Sequence, residues 1–234
     1  IRNRYFYDGR GLLRYTLDAN LRPAEYVYDS AGYLLHSFDY GAGINATTTY
    51  SMSYVAGQIS TLSLSSHADT RKSWSVYDSA GRLAYAIDAN GGVTAFSYDA
   101  MGQVIKSVQY VTLRSTTSDP SLATMDTWAA GQASNSANRI SRMVYNVRGK
   151  LVYGVDAEGY VTEHRYDAEG RTTLTIRYAD AYSVADGVTQ SGLATLIGSI
   201  PATAVQTSFS YDGAGRLSNS YDGLGVRTRY VYDA

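Results

Sequence analysis

The stretch Val76-Tyr77-Asp78-Ser79-Ala80-Gly81-Arg82-Leu83 decides the fold. An aromatic residue stands beside an acid, two free positions follow, and then come glycine, a cation and an aliphatic residue. Asp at the first position of a tight turn can accept backbone N–H groups on its carboxylate. Gly takes the positive φ that closes such turns. Tyr and Leu, on either side, suit strands. The octet therefore reads as the end of one strand, a turn, and the start of the next.

The same phrase recurs along the chain. It appears as Tyr7-Asp8 with Gly11, Tyr28-Asp29 with Gly32, Tyr98-Asp99 with Gly102, Tyr166-Asp167 with Gly170 and Tyr211-Asp212 with Gly215. Tyr145-Asn146 with Gly149 is a near copy, and Tyr232-Asp233 begins another. These positions are expected to be structural turn residues. The copies come in pairs 21 residues apart: Tyr7 to Tyr28, Tyr77 to Tyr98, Tyr145 to Tyr166 and Tyr211 to Tyr232. Gaps of 49, 47 and 45 residues separate the pairs, so a second period of 66 to 70 residues overlies the first. A fixed period of this kind signals an array rather than a single irregular domain.

A second turn sits midway through each pair, at Asp18-Ala19-Asn20, Asp88-Ala89-Asn90-Gly91, Asp156-Ala157-Glu158-Gly159 and Asp222-Gly223-Leu224-Gly225. In the first of these Leu21 stands where the others carry Gly. Between turns the residues alternate, as in Leu83, Tyr85 and Ile87 against Arg82, Ala84 and Ala86, which is the pattern of a half-buried strand. Two bare strands are marginal in water, so neighbouring hairpins are expected to join one continuous antiparallel sheet. The fold class is all-β, as repeated antiparallel hairpins with short helical insertions. The whole of 1–234 reads as one segment of an array, with repeat pairs at 5–38, 74–108, 143–178 and 207–234.

Insertions occupy 40–72, 113–139 and 183–204. In the first, alternation at Tyr50, Met52 and Tyr54 and again from Ile59 to Leu64 predicts another hairpin. In the second, Asp119-Pro120 predicts a helix start, with Leu122, Met125 and Trp128 as its apolar stripe and Gly131 as its end. In the third, Leu193, Leu196, Ile197 and Ile200 stand at helical spacing, with Pro201 as the stop. Both helices are expected to cover apolar surface of the sheet.

Composition excludes several functions. Hydrophobic content of 44% is that of a globular protein, not a disordered one. A net charge of -1 without a basic run argues against nucleic acid or an anionic membrane surface. There is no cysteine, so disulfides, thiolate zinc sites and cysteine nucleophiles are excluded. No apolar run reaches membrane-spanning length. The first residues lack a signal-peptide pattern and the last lie inside a motif, so both ends read as cuts through a longer polypeptide.

No catalytic constellation, cofactor motif or metal cluster is legible. The motif aspartates lack the alternating ligands and distal Glu of a calcium loop, so turn stabilisation explains them better. His36, His67 and His164 are scattered, without metal-ligand spacing. Asn45-Ala46-Thr47 matches a glycosylation acceptor that matters only in a eukaryotic secretory setting. The tyrosines are read as cross-strand packing, with sugar stacking as the competing reading. The cations Arg82, Lys150, Arg171 and Arg216 are expected to pair with turn aspartates of neighbouring units.

With its second Asp-x-x-Gly turn and the strand that follows, the motif Tyr-Asp-x-x-Gly-Arg-Leu resembles the YD-repeat, or Rhs-repeat, family. Val76 to Asp99 matches best and Tyr211 to Asp233 nearly as well. The resemblance implies a β-ribbon coiled into a hollow shell. In Rhs proteins and the C components of insecticidal toxin complexes such a shell encloses a C-terminal toxin. Related repeats occur in teneurins and in very large bacterial surface proteins. Self-cleaving members carry Asp-Pro-x-Gly. Here Asp119-Pro120 is followed by Ser121-Leu122, so cleavage is not carried over.

The leading expectation is a structural shell segment of a large secreted or surface bacterial protein, not an enzyme. Its partners would be the rest of its own polypeptide and an enclosed toxin domain. The alternative is an extended adhesin or filament module binding glycans or a partner cell. Insertions are the most suitable seat for any specific function, because loops vary while scaffolds hold.

Overall fold

The computed structural model describes residues 2–115 and 118–233. Thr116 and Thr117 of the second insertion, and Ile1 and Ala234 at the array's limits, lie outside the described residues. Fifteen strands form one antiparallel sheet, each lying beside its neighbour in sequence. The first four are β1 (Arg4–Tyr7), β2 (Leu13–Leu17), β3 (Pro23–Tyr28) and β4 (Leu34–Asp39), followed by helix α1 (Met52–Thr61) and a 3-10 turn at Leu64–Ser66. Next are β5 (Arg71–Tyr77), β6 (Leu83–Ile87), β7 (Val93–Tyr98) and β8 (Val104–Gln109), then α2 (Leu122–Gln132). A third set follows: β9 (Arg139–Tyr145), β10 (Leu151–Val155), β11 (Tyr160–Tyr166), β12 (Thr172–Ala181) and α3 (Gln190–Ile197). The chain closes with β13 (Val205–Tyr211), β14 (Leu217–Tyr221) and β15 (Arg227–Arg229). Among the described residues no helix is long and apolar enough to cross a membrane.

Six of the motif hairpins, those of Tyr7, Tyr28, Tyr77, Tyr145, Tyr166 and Tyr211, carry the same irregularity. In β5–β6, Val76 faces Tyr85 but Tyr77 faces Leu83, so Ala84 has no partner. The same skip leaves out Arg14, Leu35, Val152, Thr173 and Ser218 in the equivalent hairpins. These are β-bulges, which add twist and displace ladder groups from their usual partners.

The chain divides into two compact units, one of Ile1–Ala95 with Gln109–Asn138 and one of Phe96–Val108 with Arg139–Ala234. The first unit holds two apolar clusters. In one, Tyr15, Leu17 and Tyr40 pack with Val55 and Ile59 of α1. In the other, Trp74, Tyr85 and Ile87 pack with Met125 and Ala129 of α2. The second unit has a cluster of Val144, Tyr153, Val155, Val161 and Ile176 with Leu193 of α3. In each cluster an insertion helix covers strands from its own stretch of sequence.

The first insertion differs from its expectation: 52–61 is a helix, not a hairpin strand. Ser51 accepts a hydrogen bond from the Tyr54 N–H and so caps the helix start. Val55 and Ile59, four apart, supply the buried stripe, and the alternating Tyr50 and Tyr54 are an i,i+4 ring pair 6.0 Å apart. The second helix starts two positions later than its Asp-Pro signal. Ser121 and Thr124 form a capping box, while Asp119 instead accepts from the Trp74 indole at 3.1 Å. Gly131 lies inside α2. In α3, Leu193 is fully buried but Leu196 is exposed, and Gly198 at φ 72° ends the helix before Ile200 and Pro201.

Candidate functional site

The turns are the part of the molecule with the most regular chemistry. In the Asp78 turn, the Asp78 N–H donates to Arg82 O at 2.8 Å and the Gly81 N–H to Asp78 O at 3.0 Å. Asp78 Oδ1 accepts the Ala80 and Arg82 N–H groups, each at 2.9 Å. Gly81 has φ 76°, the left-handed conformation in which Cβ is costly. A type I turn followed by such a residue is a three-residue hairpin loop. Both backbone bonds recur at Asp8 with Gly11, Asp29 with Gly32, Asp99 with Gly102, Asn146 with Gly149, Asp167 with Gly170 and Asp212 with Gly215. Asn146 matches the aspartates because its side-chain oxygen accepts from Arg148 and Lys150 as a carboxylate would.

Three of the four motif cations, the arginines, pair within their own turn, not with neighbouring units. Arg82 reaches Asp78 at 2.8 Å, Arg171 reaches Asp167 at 2.7 Å and Arg216 reaches Asp212 at 2.8 Å. The cause is local: position i+4 after the turn Asp returns the guanidinium to the carboxylate. The Arg82 N–H bond, ahead of the guanidinium, holds the Asp78 carboxyl below the usual carboxylate range. At Asp212 the Arg216 guanidinium is the larger cause of the same shift. At Asp167 burial pushes upward, but the Arg171 bonds outweigh it.

Neighbouring turns are joined by tyrosine instead. Tyr77 donates its hydroxyl to Leu34 O at 3.1 Å, Tyr145 to Val104 O at 3.0 Å and Tyr166 to Leu151 O at 2.7 Å. Tyr211 donates to Thr172 O at 2.8 Å and Tyr232 to Leu217 O at 2.9 Å. Each acceptor stands two residues after the preceding motif's Gly, and Leu34, Leu151, Thr172 and Leu217 stand immediately before a bulged residue. Tyr7 and Tyr28 make no such bond among the described residues. The residue after Gly adds a second link. Arg171 stacks on Tyr211 and Arg216 on Tyr232, each at 4.7 Å, and the Gln103 amide donates to Gly149 O at 2.8 Å. The expectation of cross-strand packing missed these hydroxyl bonds; the available signal was Tyr, never Phe, at every motif copy.

A second tyrosine set surrounds carboxylates under the sheet. Glu163 is 6% exposed; it accepts from Tyr178 at 2.6 Å and from Arg165 at 2.6 Å. Glu25 accepts from Tyr40 at 2.5 Å and from Arg14 at 2.8 Å. Tyr85 instead donates to Asp126 of α2, at 2.8 Å. Burial first, and then the bound carboxylate, pushes Tyr40, Tyr85 and Tyr178 well above the ordinary phenol range. Burial also lowers His36 and His164. Among the described residues no group of acids and histidines could hold a metal ion.

Four clefts of about 460–570 Å³ flank the turns. The largest, about 570 Å³, lies between Asp29, Tyr33, Tyr77 and Asp78, with Pro120 and Leu122 at its lip. Another is lined by Met101, Ile105 and Val188, where Asp186 bridges Lys106 and Arg142.

A family model described as RHS Repeat matches residues 77–112. No curated protein matches the chain. Among solved structures, a crystal structure of TcdB2-TccC3-Cdc42 is similar at 16% identity and TM-score 0.60, over 99% of this chain and 10% of that one. A Photorhabdus luminescens Tc holotoxin pore carrying a TccC3 mutation is similar at 17% identity and TM-score 0.60, over 99% and 9%. The chain thus spans about a tenth of the length of those chains, and at this identity the likeness is one of fold. Residues 77–112 thus carry a match to the RHS Repeat, and the all-β fold over the rest of the chain is similar to that of those toxin-complex chains.

Proposed function

We propose that this chain is a wall segment of a β-shell in a larger, secreted bacterial RHS-repeat protein, and that the shell encloses a toxin domain of the same polypeptide. The observation that carries this reading is the tyrosine link from turn to turn. A sheet needs only ladder bonds to exist. Here bulges open the ladder, and at Leu35, Val152, Thr173 and Ser218 a hydroxyl from the next motif closes it, as at Tyr166 and Leu151. Such a sheet resists opening along its turn edge, which is what a container wall requires. The fold shared with toxin-complex chains supports the same reading. Its role is enclosure rather than catalysis, and the paired turn carboxylates and buried phenols serve stability.

The test is limited proteolysis of the full-length polypeptide from which the chain comes. Enclosure predicts that any domain beyond the repeats survives protease while the shell is intact, and is cut once urea opens it. Equal cutting rates before and after opening would overturn the proposal. If binding to a glycan array accompanies that result, the protein is an adhesin instead.

A further inference from the structure

The cleft beside Asp29 differs in one respect from the turns at Asp78, Asp167 and Asp212. Asp78, Asp167 and Asp212 each hold the guanidinium of the residue just after their glycine, and Asp8 holds Arg10 at 3.4 Å. After Gly32 the chain has Tyr33 instead of a cation. Asp29 accepts the Tyr33 N–H at 2.8 Å on Oδ1, and among the described residues its carboxylate has no cationic partner. Arg10 comes near, but donates to the carbonyl oxygens of Asp29 and Ser30.

Tyr33 also rebuilds the surroundings. Its ring lies 5.0 Å from that of Tyr77 and covers the bare Cα of Gly81, where a Cβ would stand 2.9 Å from Cζ. It remains 41% exposed toward the cleft. Tyr211 and Tyr232 meet the chain's own Arg171 and Arg216, whereas Tyr77 meets an aromatic ring. The cleft thus offers an unpaired carboxylate, an open aromatic face and the apolar lip of Pro120 and Leu122. No Lys, Arg or His lines it, and the Asp78 charge is already met by Arg82. Ser121 and Thr124 cap the start of α2, each side-chain oxygen accepting the other residue's N–H.

We infer that this cleft binds the guanidinium of an arginine side chain presented by another polypeptide segment. A planar cation can pair with Asp29 while stacking on Tyr33, the combination the other turns make internally. Anionic ligands find only like charge, and a neutral ligand leaves the carboxylate unmet. The inference is independent of enclosure, since capture can occur on either side of a wall.

The test uses N-acetyl-arginine amide and its neutral isostere N-acetyl-citrulline amide, followed by NMR shifts at Gly81 and Tyr77. The arginine probe should saturate with a Kd of order 1 mM, and citrulline should bind at least about tenfold more weakly. Asp29→Asn should weaken arginine binding by a similar factor. Tyr33→Arg should abolish it, because the new side chain fills the site as Arg171 and Arg216 fill theirs. Should Tyr33→Arg fail to fold, Asp29→Asn decides. No saturable shift in the parent, equal citrulline affinity, or undiminished binding by Asp29→Asn would overturn the inference.

Discussion

Tyr166 donates its phenolic hydroxyl to the backbone carbonyl of Leu151 at 2.7 Å, closing the ladder beside the bulged Val152. Tyr211 does the same for Thr172 at 2.8 Å. Replacing either by Phe keeps the ring and leaves the carbonyl unmet. Tyr166→Phe and Tyr211→Phe should each lose about 0.5–1.5 kcal/mol in urea unfolding, the usual net worth of one hydrogen bond. Unchanged midpoints in both variants would show that the hydroxyl link contributes nothing.

Leu21 adopts φ 62° where the matching turns place Gly91, Gly159 and Gly225 at 86°, 91° and 79°. A side chain in this conformation costs about 1–2 kcal/mol. Leu21 is retained because it packs on the cluster of Leu17 and Tyr40. The two effects separate by comparing small residues. Leu21→Ala loses packing and keeps the strain, whereas Leu21→Gly loses both. The Gly variant should be about 1 kcal/mol more stable than the Ala variant, opposite to the usual order at a negative-φ position. The usual order in thermal melts would refute the strain.

Much of this architecture is legible in the sequence because the turns are chemically demanding. Asp or Asn with Gly three positions on is the pairing that makes the loop at 78–81 without strain, and a 21-residue spacing leaves room only for short strands. The insertion at 40–72 is misread because Tyr50, Met52 and Tyr54 satisfy a period of two, while the deciding pair, Val55 and Ile59, lies four apart. Arg82 and Asp78 are assigned to different units because strand alternation says nothing about a side chain folding back over its own turn. The hydroxyl links stay hidden because they depend on bulges, and register is a property of paired strands.

Acid should weaken the fold through the turn carboxylates. Asp78 and Asp212 are held below their ordinary range by Arg82 and Arg216. Depressed folded values mean that the stability is present above about pH 3.9, the unfolded value, and is lost as pH falls through the folded one. Asp78→Asn with Asp212→Asn should flatten the loss between pH 5 and about 3, because Asn keeps the N–H acceptor, as Asn146 does natively. The measurement is the urea midpoint against pH. An identical slope in parent and variant would place the acid response elsewhere.

Alkali tests the buried phenols. Tyr40, Tyr85 and Tyr178 are raised by burial and by their carboxylate partners. Raised folded values mean that stability is complete below the unfolded value of about 10 and declines as pH rises above it. Their ionisation, seen by ultraviolet absorbance, should therefore coincide with loss of the circular dichroism signal. In single Phe variants at 40, 85 and 178, the missing amplitude should come from that late, cooperative step. Amplitude missing from the early step near pH 10 would contradict the burial.

The carboxylate beneath Tyr85 should be movable. Tyr15 pairs in register with Glu25, and Tyr153 with Glu163, so in those hairpins the facing strand supplies the acid. Tyr85 pairs with Ala95, and Asp126 of α2 supplies the acid from the helix. Asp126→Ala leaves the half-buried Tyr85 hydroxyl unmet and should cost about 1–3 kcal/mol. Adding Ala95→Glu restores a carboxylate from the position Glu25 and Glu163 occupy, and should recover at least half of that loss. By itself Ala95→Glu should destabilise, since it brings a second charge toward Asp126. The sign reversal between the two backgrounds is the diagnostic result, read from a double-mutant cycle. An additive cycle would mean that Asp126 holds α2 for another reason and that the three tyrosine–carboxylate sites are not equivalent.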